Sequence, residues 1–238
     1  MRKNAVRIIA SAFLVQLVAP GATNEARAQG DRALYPAMAP LDQYLMADKD
    51  AEVALALTAA PRSVSEGAEV MVLGREGYTT AAKGGNGFLC LVERAWGAAT
   101  DDPEFWNPRV RAPICFNPAA RRTFVPIFLM KTRLVLAGRS KKEIVQSVAS
   151  AFDKKELPAL EAGGMCYMMS KQQYLSDRGK AWHPHLMFFV PGDAARDWGA
   201  NLPGSPVMAA NDPEERATIF MLWVGEWSDG TPAPPMAH

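Results

Sequence analysis

Two histidines one residue apart, His183-Pro184-His185, are the densest chemical capacity in this chain, whose only other histidine is the terminal His238. Pro184 biases the residue before it toward extended backbone, and on a strand residues two apart share a face. His183, His185 and Met187 then project together. Met165, Tyr167 and Met169 alternate in the same way on another strand-like run. Imidazole with thioether is a donor set suited to copper, because soft sulfur selects Cu(I). Methionine is also an ordinary core filler, so the leading expectation is a structural role for these residues, with no metal and no cofactor. A copper-binding protein is kept as the third functional reading.

Hydrolysis is the second. His183 or His185 would act as general base, Ser170, Ser228 or Cys166 as nucleophile, and Asp229 or Asp177 as the group that orients the imidazole. No spacing ties them together: the chain has no Gly-x-Ser-x-Gly, Ser-x-x-Lys, His-Glu-x-x-His or Cys-x-x-Cys. The paired acids Asp101-Asp102 and Glu214-Glu215 stand beside Pro103 and Pro213, a context that reads as solvated loop carboxylates. The leading functional reading is therefore non-enzymatic binding of a small ligand or a protein partner. Trp96, Trp106, Trp182, Trp198, Trp223 and Trp227 fall mostly at strand ends and in loops, where aromatics can line a groove. Trp106, Trp182, His183, His185 and Trp227 are the expected ligand-binding set.

These residues need a scaffold. Leu41 to Ala60 reads as a helix broken near Asp48-Lys49-Asp50 and stopped by Pro61. Val70–Leu73, Gly77–Ala82 and Phe88–Arg94 read as strands, and Lys83-Gly84-Gly85-Asn86-Gly87 as the hairpin turn between the last two. A phosphate loop is excluded there, since no Gly-Lys-Ser/Thr closes the cluster. Asn117-Pro118 opens a helix that Pro126 should break and Gly138 should end. Ser140-Lys141-Lys142-Glu143 is a capping box for a helix ending near Lys155, with Ile144, Val145, Val148 and Phe152 on one face. Met165–Ser170, His185–Val190 and Thr218–Val224 return to strand-like runs. Strands, then helices, then strands predict an α+β fold: a largely antiparallel sheet of about five to six strands packed against two to four helices.

The first residues read as an export signal. Arg2, Lys3 and Arg7 form a basic region, Ile8–Val18 an apolar one, and Ala26-Arg27-Ala28 a cleavage site before Gln29. That apolar run is about 11 residues, against the roughly 20 a spanning helix needs. Phe124–Leu136 is interrupted by Lys131 and Arg133, so no membrane span is expected after cleavage. The expected organisation is a signal peptide over 1–28, an irregular leader over 29–39, one α+β domain over 40–230 and a flexible tail over 231–238. Export to the periplasm or the medium follows.

The whole chain carries 26 Lys+Arg against 25 Asp+Glu; without residues 1–28 the balance is 22 against 24. A nucleic-acid protein would show a basic stripe or a pI above about 9, so nucleic acid is not an expected partner. Arg121-Arg122 and Lys141-Lys142 read as solvated helix faces. Three cysteines in an exported chain allow one disulfide and leave one thiol. Cys90 and Cys115, each in an extended-looking apolar segment, are the favoured pair, with a chain lacking any disulfide as the alternative. Cys166 is then free and buried.

Several pieces of the chain resemble exported bacterial proteins of no assigned function. They are Asn86-Gly87-Phe88-Leu89-Cys90, Trp106-Asn107-Pro108 with Arg111-Ala112-Pro113-Ile114-Cys115, Tyr167-Met168-Met169-Ser170, Trp182-His183-Pro184-His185-Leu186-Met187 and Trp198-Gly199-Ala200-Asn201. The resemblance implies an exported compartment and a single family. It implies no mechanism and carries over no catalytic residue.

Overall fold

Near-continuous apolar runs in the central strands, as in Leu89–Val92 and Ala112–Phe116, build a single eight-stranded sheet buried through its middle. The strands are β1 (Glu69–Gly74), β2 (Gly77–Ala82), β3 (Leu89–Glu93), β4 (Ala112–Phe116), β5 (Met165–Met168), β6 (His185–Pro191), β7 (Met208–Asp212) and β8 (Ala217–Trp223), in the order β2-β1-β3-β4-β5-β6-β8-β7. Only β1 and β3 run parallel. Five α-helices accompany them among the described residues: α1 (Lys49–Leu57), α2 (Arg62–Ser65), α3 (Pro118–Thr123), α4 (Val125–Leu136) and α5 (Lys141–Asp153). The computed structural model describes residues 34–180, 182–205 and 207–235. The expected export signal, its cleavage point and the start of the leader lie outside the described residues.

The α+β class and the largely antiparallel sheet agree with the sequence reading, but the sheet has eight strands where five to six were expected, and there are more helices than four. One added strand is β4, which completes the Pro113–Phe116 extended segment. The other is β7, whose Met-Ala-Ala-Asn-Asp sequence has no β-branched or aromatic residue. It forms because a four-residue turn folds it back onto β8, with Asp212 opposite Ala217.

The glycine cluster is not a hairpin turn. β2 pairs with β1 through the tight Arg75-Glu76 turn, where Gly77 takes φ +113°. Lys83–Gly87 instead carries the chain across the end of β1 to its far side. Gly84 passes so close to the Ala68–Glu69 peptide that a Cβ there would fall 2.2 Å from backbone atoms, and the amides of Gly85 and Asn86 both donate to the Gly67 carbonyl. Glycine is required here by close backbone approach.

Helix ends follow local chemistry. The Asn117 side chain accepts from the Ala120 amide at 2.9 Å, capping α3, and also from the Met165 amide at the start of β5. Pro126 has no N–H to continue the ladder, so the chain bends at Phe124 and restarts as α4. Ser140 and Glu143 make the expected reciprocal capping box on α5.

The central strands β3 and β4 are covered on both faces. On one, Leu89, Leu91, Ile114, Phe116 and Phe189 pack with Ile127 and Phe128 of α4 and Ile144 and Val148 of α5. On the other, Val70, Cys90, Val92 and Cys115 meet Ala56 of α1 and the Ala59-Ala60 segment. Cys90 and Cys115 sit directly opposite each other on β3 and β4, with Cα atoms 4.0 Å apart and their sulfurs bonded. Cys166 is free and buried, and burial pushes its thiol pKa up. Among the described residues no helix is long and apolar enough to cross a membrane.

Candidate functional site

Among the described residues, no helix seals the β5–β6–β8–β7 half of the sheet on the α4 side. In its place lies a cavity of ≈ 360 Å³, within the range usual for small-molecule sites. Its floor is the inward row Met168, His185, Met187, Phe189, Ile219 and Met221, its closed end Ile114 and Phe124, and its opposite wall the segment from Glu93 to Val110. Trp182, 47% exposed, stands where the cavity meets solvent.

Two tethers fix the wall. The Thr100 amide and hydroxyl donate to Glu214, on the β7–β8 turn. Lys131 of α4, buried, reaches the Ala98 carbonyl and the Glu215 carboxylate, each at 3.0 Å. Burial works against the Lys131 ammonium, but the charge and hydrogen bond of Glu215 outweigh it and raise its pKa. Burial also pushes the Glu215 and Asp212 carboxyls up. At the other end, Arg94 is held by Glu52 of α1 at 2.8 Å, by the Tyr44 carbonyl at 2.7 Å and by the Val92 carbonyl.

Glu93 differs from these. It ends β3 on the cavity wall, and its carboxyl makes no hydrogen bond among the described residues. Some of its surface is open to the cavity, yet protein surrounds it, so burial first and the nearby Glu215 second push its pKa up to about 8, with Lys131 opposing. At neutral pH it is largely an uncharged acid that can donate a hydrogen bond.

Of the sequence-derived candidates, Trp182, His185 and Met187 line the cavity. His185 is buried; its Nδ1 lies 2.8 Å from the His183 carbonyl, which can only accept, so Nδ1 carries the proton and Nε2 the lone pair. Burial lowers its pKa, keeping the ring neutral. Both imidazoles pack on Trp223, with ring centroids 5.2 Å away for His185 and 6.2 Å for His183. Trp106 lies in the core against Phe105, and Trp227 is half-buried near the tail, its amide bonded to the Thr231 carbonyl. Neither lines the cavity.

The strand carrying Met165 and Tyr167 does lie beside β6. Its register places Met168 opposite His185 and Cys166 opposite Met187, so those residues share the histidine face while Met165 and Tyr167 point to the other. Among the described residues no three of His, Cys, Asp and Glu are grouped to hold a metal. Ser170, Ser228 and Asp229 lie near one another along the Met169–Lys171 segment, but no hydrogen bond among the described residues joins any hydrolytic candidate to a histidine ring. Ser170 bonds Thr58, the Ser228 amide bonds the Met169 carbonyl, Asp229 pairs with Lys171, and Asp177 gathers Tyr35, Tyr174, Asn107 and Arg109. Asp229 is held down at about 2, chiefly by Thr231.

Glu93, Lys131 and Glu215 escaped the sequence reading. Glu214-Glu215 in particular is not a solvated pair: Glu215 is buried against Lys131, and Glu214 holds Thr100. The signals were present. Leu89, Leu91 and Glu93 alternate onto the core face, and Phe128, Lys131, Thr132 and Val135 form one helical stripe.

Comparison of the chain with protein-family models, with curated proteins and with solved structures finds no match. The fold and the site together define a cavity-bearing α+β domain.

Proposed function

We propose that this protein is exported and binds a small, mainly apolar organic ligand in the cavity between the β5–β8 half-sheet and the Glu93–Val110 wall. The observation that carries the reading is the cavity itself, open to solvent beside Trp182: a close-packed interior leaves few spaces of this size, and the surface exposed in this one is mostly apolar, with Met, Ile and Phe side chains on its floor. Pockets of that make-up are the usual form of a ligand site. Export is supported by the basic and apolar N-terminal pattern and by a disulfide, a bond that persists in oxidising compartments.

The test is occupancy by steric exclusion. Met187→Trp and, separately, Met221→Trp place an indole in the cavity. The neutral dye N-phenylnaphthylamine should gain fluorescence with the unmodified protein and lose that gain in both variants, with circular dichroism unchanged. Equal dye binding by well-folded variants would refute the cavity as the site.

A further inference from the structure

The charges around the cavity do not balance. Five carboxylates line it: Glu93, Asp102, Glu104, Asp212 and Glu215. Four have partners. Asp102 accepts from the Glu104 amide, Glu104 from Asn107 and the Asp177 amide, Asp212 from the Glu215 amide, and Glu215 from Lys131. The nearby cations are spent as well, Arg94 on Glu52 and two carbonyls, Lys131 on Glu215 and the Ala98 carbonyl. Glu93 alone faces the cavity without a partner among the described residues. Gly97 presses on it from the wall, where a Cβ would fall 3.0 Å from Oε2, and offers no side chain to bond it.

Resting on the reading of the cavity as a ligand site, the geometry points to a ligand that carries a protonated amine on an apolar or aromatic body, its ammonium seated against the Glu93 carboxylate. An anionic ligand would enter a space lined by five acids with no cation to spare. An ammonium replaces the proton that Glu93 otherwise retains, and in a desolvated site a paired opposite charge favours the ionised carboxyl. The Trp182 ring at the mouth gives an incoming cation a π face, and Met168, Met187 and Phe189 receive the apolar remainder. The titratable and charged groups around Glu93 are Arg94 beside it, Tyr78 of β2, Lys131 of α4, Cys166 of β5, and Asp212 and Glu215 of the β7–β8 turn. None of them supplies the missing charge.

Calorimetric titration with phenylpropylamine, phenylpropanol and phenylpropionate tests this, at pH 6, 7 and 8 and in buffers of different ionisation enthalpy. The amine should bind about tenfold more tightly than the alcohol at pH 8 and weaken by up to about tenfold per pH unit below it, because each binding event must displace the Glu93 proton. Proton release at pH 7, read from the buffer dependence, should accompany amine binding only, and the propionate should not bind. Glu93→Gln, close in shape to the protonated acid, should erase both the preference and the proton release. Equal binding of amine and alcohol without proton release overturns the amine assignment and leaves the cavity as a binding site. An amine preference that survives in folded Glu93→Gln also overturns it, and failure of all three probes to bind overturns both readings.

Discussion

Raising the pH should destabilise this fold, and Glu93 carries a share of that loss that can be isolated. Glu93 takes up a proton on folding, because its pKa rises from the ordinary 4.5 to about 8 when burial and Glu215 disfavour its charge. A carboxyl whose folded pKa lies above its unfolded one contributes fully below about pH 4.5; that contribution falls as pH rises and is lost once pH passes about 8. Between those limits the folded state holds one more proton than the unfolded chain, so stability falls by roughly 1.4 kcal/mol per pH unit. From pH 5 to 8 the loss is about 3 kcal/mol, reduced to the extent that water in the cavity solvates the carboxylate. Asp212 and Glu215 titrate in the same direction, so the difference between the parent protein and Glu93→Gln isolates the Glu93 share. Urea unfolding of both at pH 5, 6, 7 and 8 is the assay. The parent should lose about 3 kcal/mol more than the variant over that range, and Glu93→Gln should be the more stable protein at pH 8. Parallel pH profiles would refute the reasoning.

Two further outcomes follow from buried chemistry. Lys131→Met leaves Glu215 buried without its counter-charge and should cost about 3–5 kcal/mol in urea unfolding at pH 7, whereas Lys131→Met with Glu215→Leu should recover most of it; equal losses would contradict a buried pair. Cys90→Ser opens a loop with a sequence separation of 25 residues and should cost roughly 3 kcal/mol, with one more thiol titratable after denaturation than in the parent; a count one lower than the parent's would remove the Cys90–Cys115 bond.

What is local in this fold is legible in the chain. Asn117-Pro118 and Ser140-x-x-Glu143 announce their helices because a cap needs only neighbouring residues, and β2 and β3 stand out by strand-like runs. What depends on partners far away is not. Lys83–Gly87 has the composition of a turn, and only the Gly84 approach to the Ala68–Glu69 peptide shows it to be a crossover. β7 borrows its conformation from β8. The one-residue choice of register that puts Met168 rather than Met169 beside His185 is set by the whole sheet, and a slip of one exchanges the faces. For the site, Trp182, His185 and Met187 could be singled out by type. Glu93 and Lys131 could not be given a role, because a charge on a core-facing position acquires meaning only when the cavity and the opposing Glu215 are in view.

The central claim is that a small organic molecule occupies the cavity, and methionine methyl groups report on it directly. Met168, Met187 and Met221 line the space, while Met71 and Met130 lie elsewhere. With methyl-labelled methionine, titration of phenylpropylamine at pH 8 followed by carbon–proton correlation spectra should shift the signals of the first three and leave the other two in place. Shifts at Met71 or Met130 with the three cavity methyls unmoved would contradict the account.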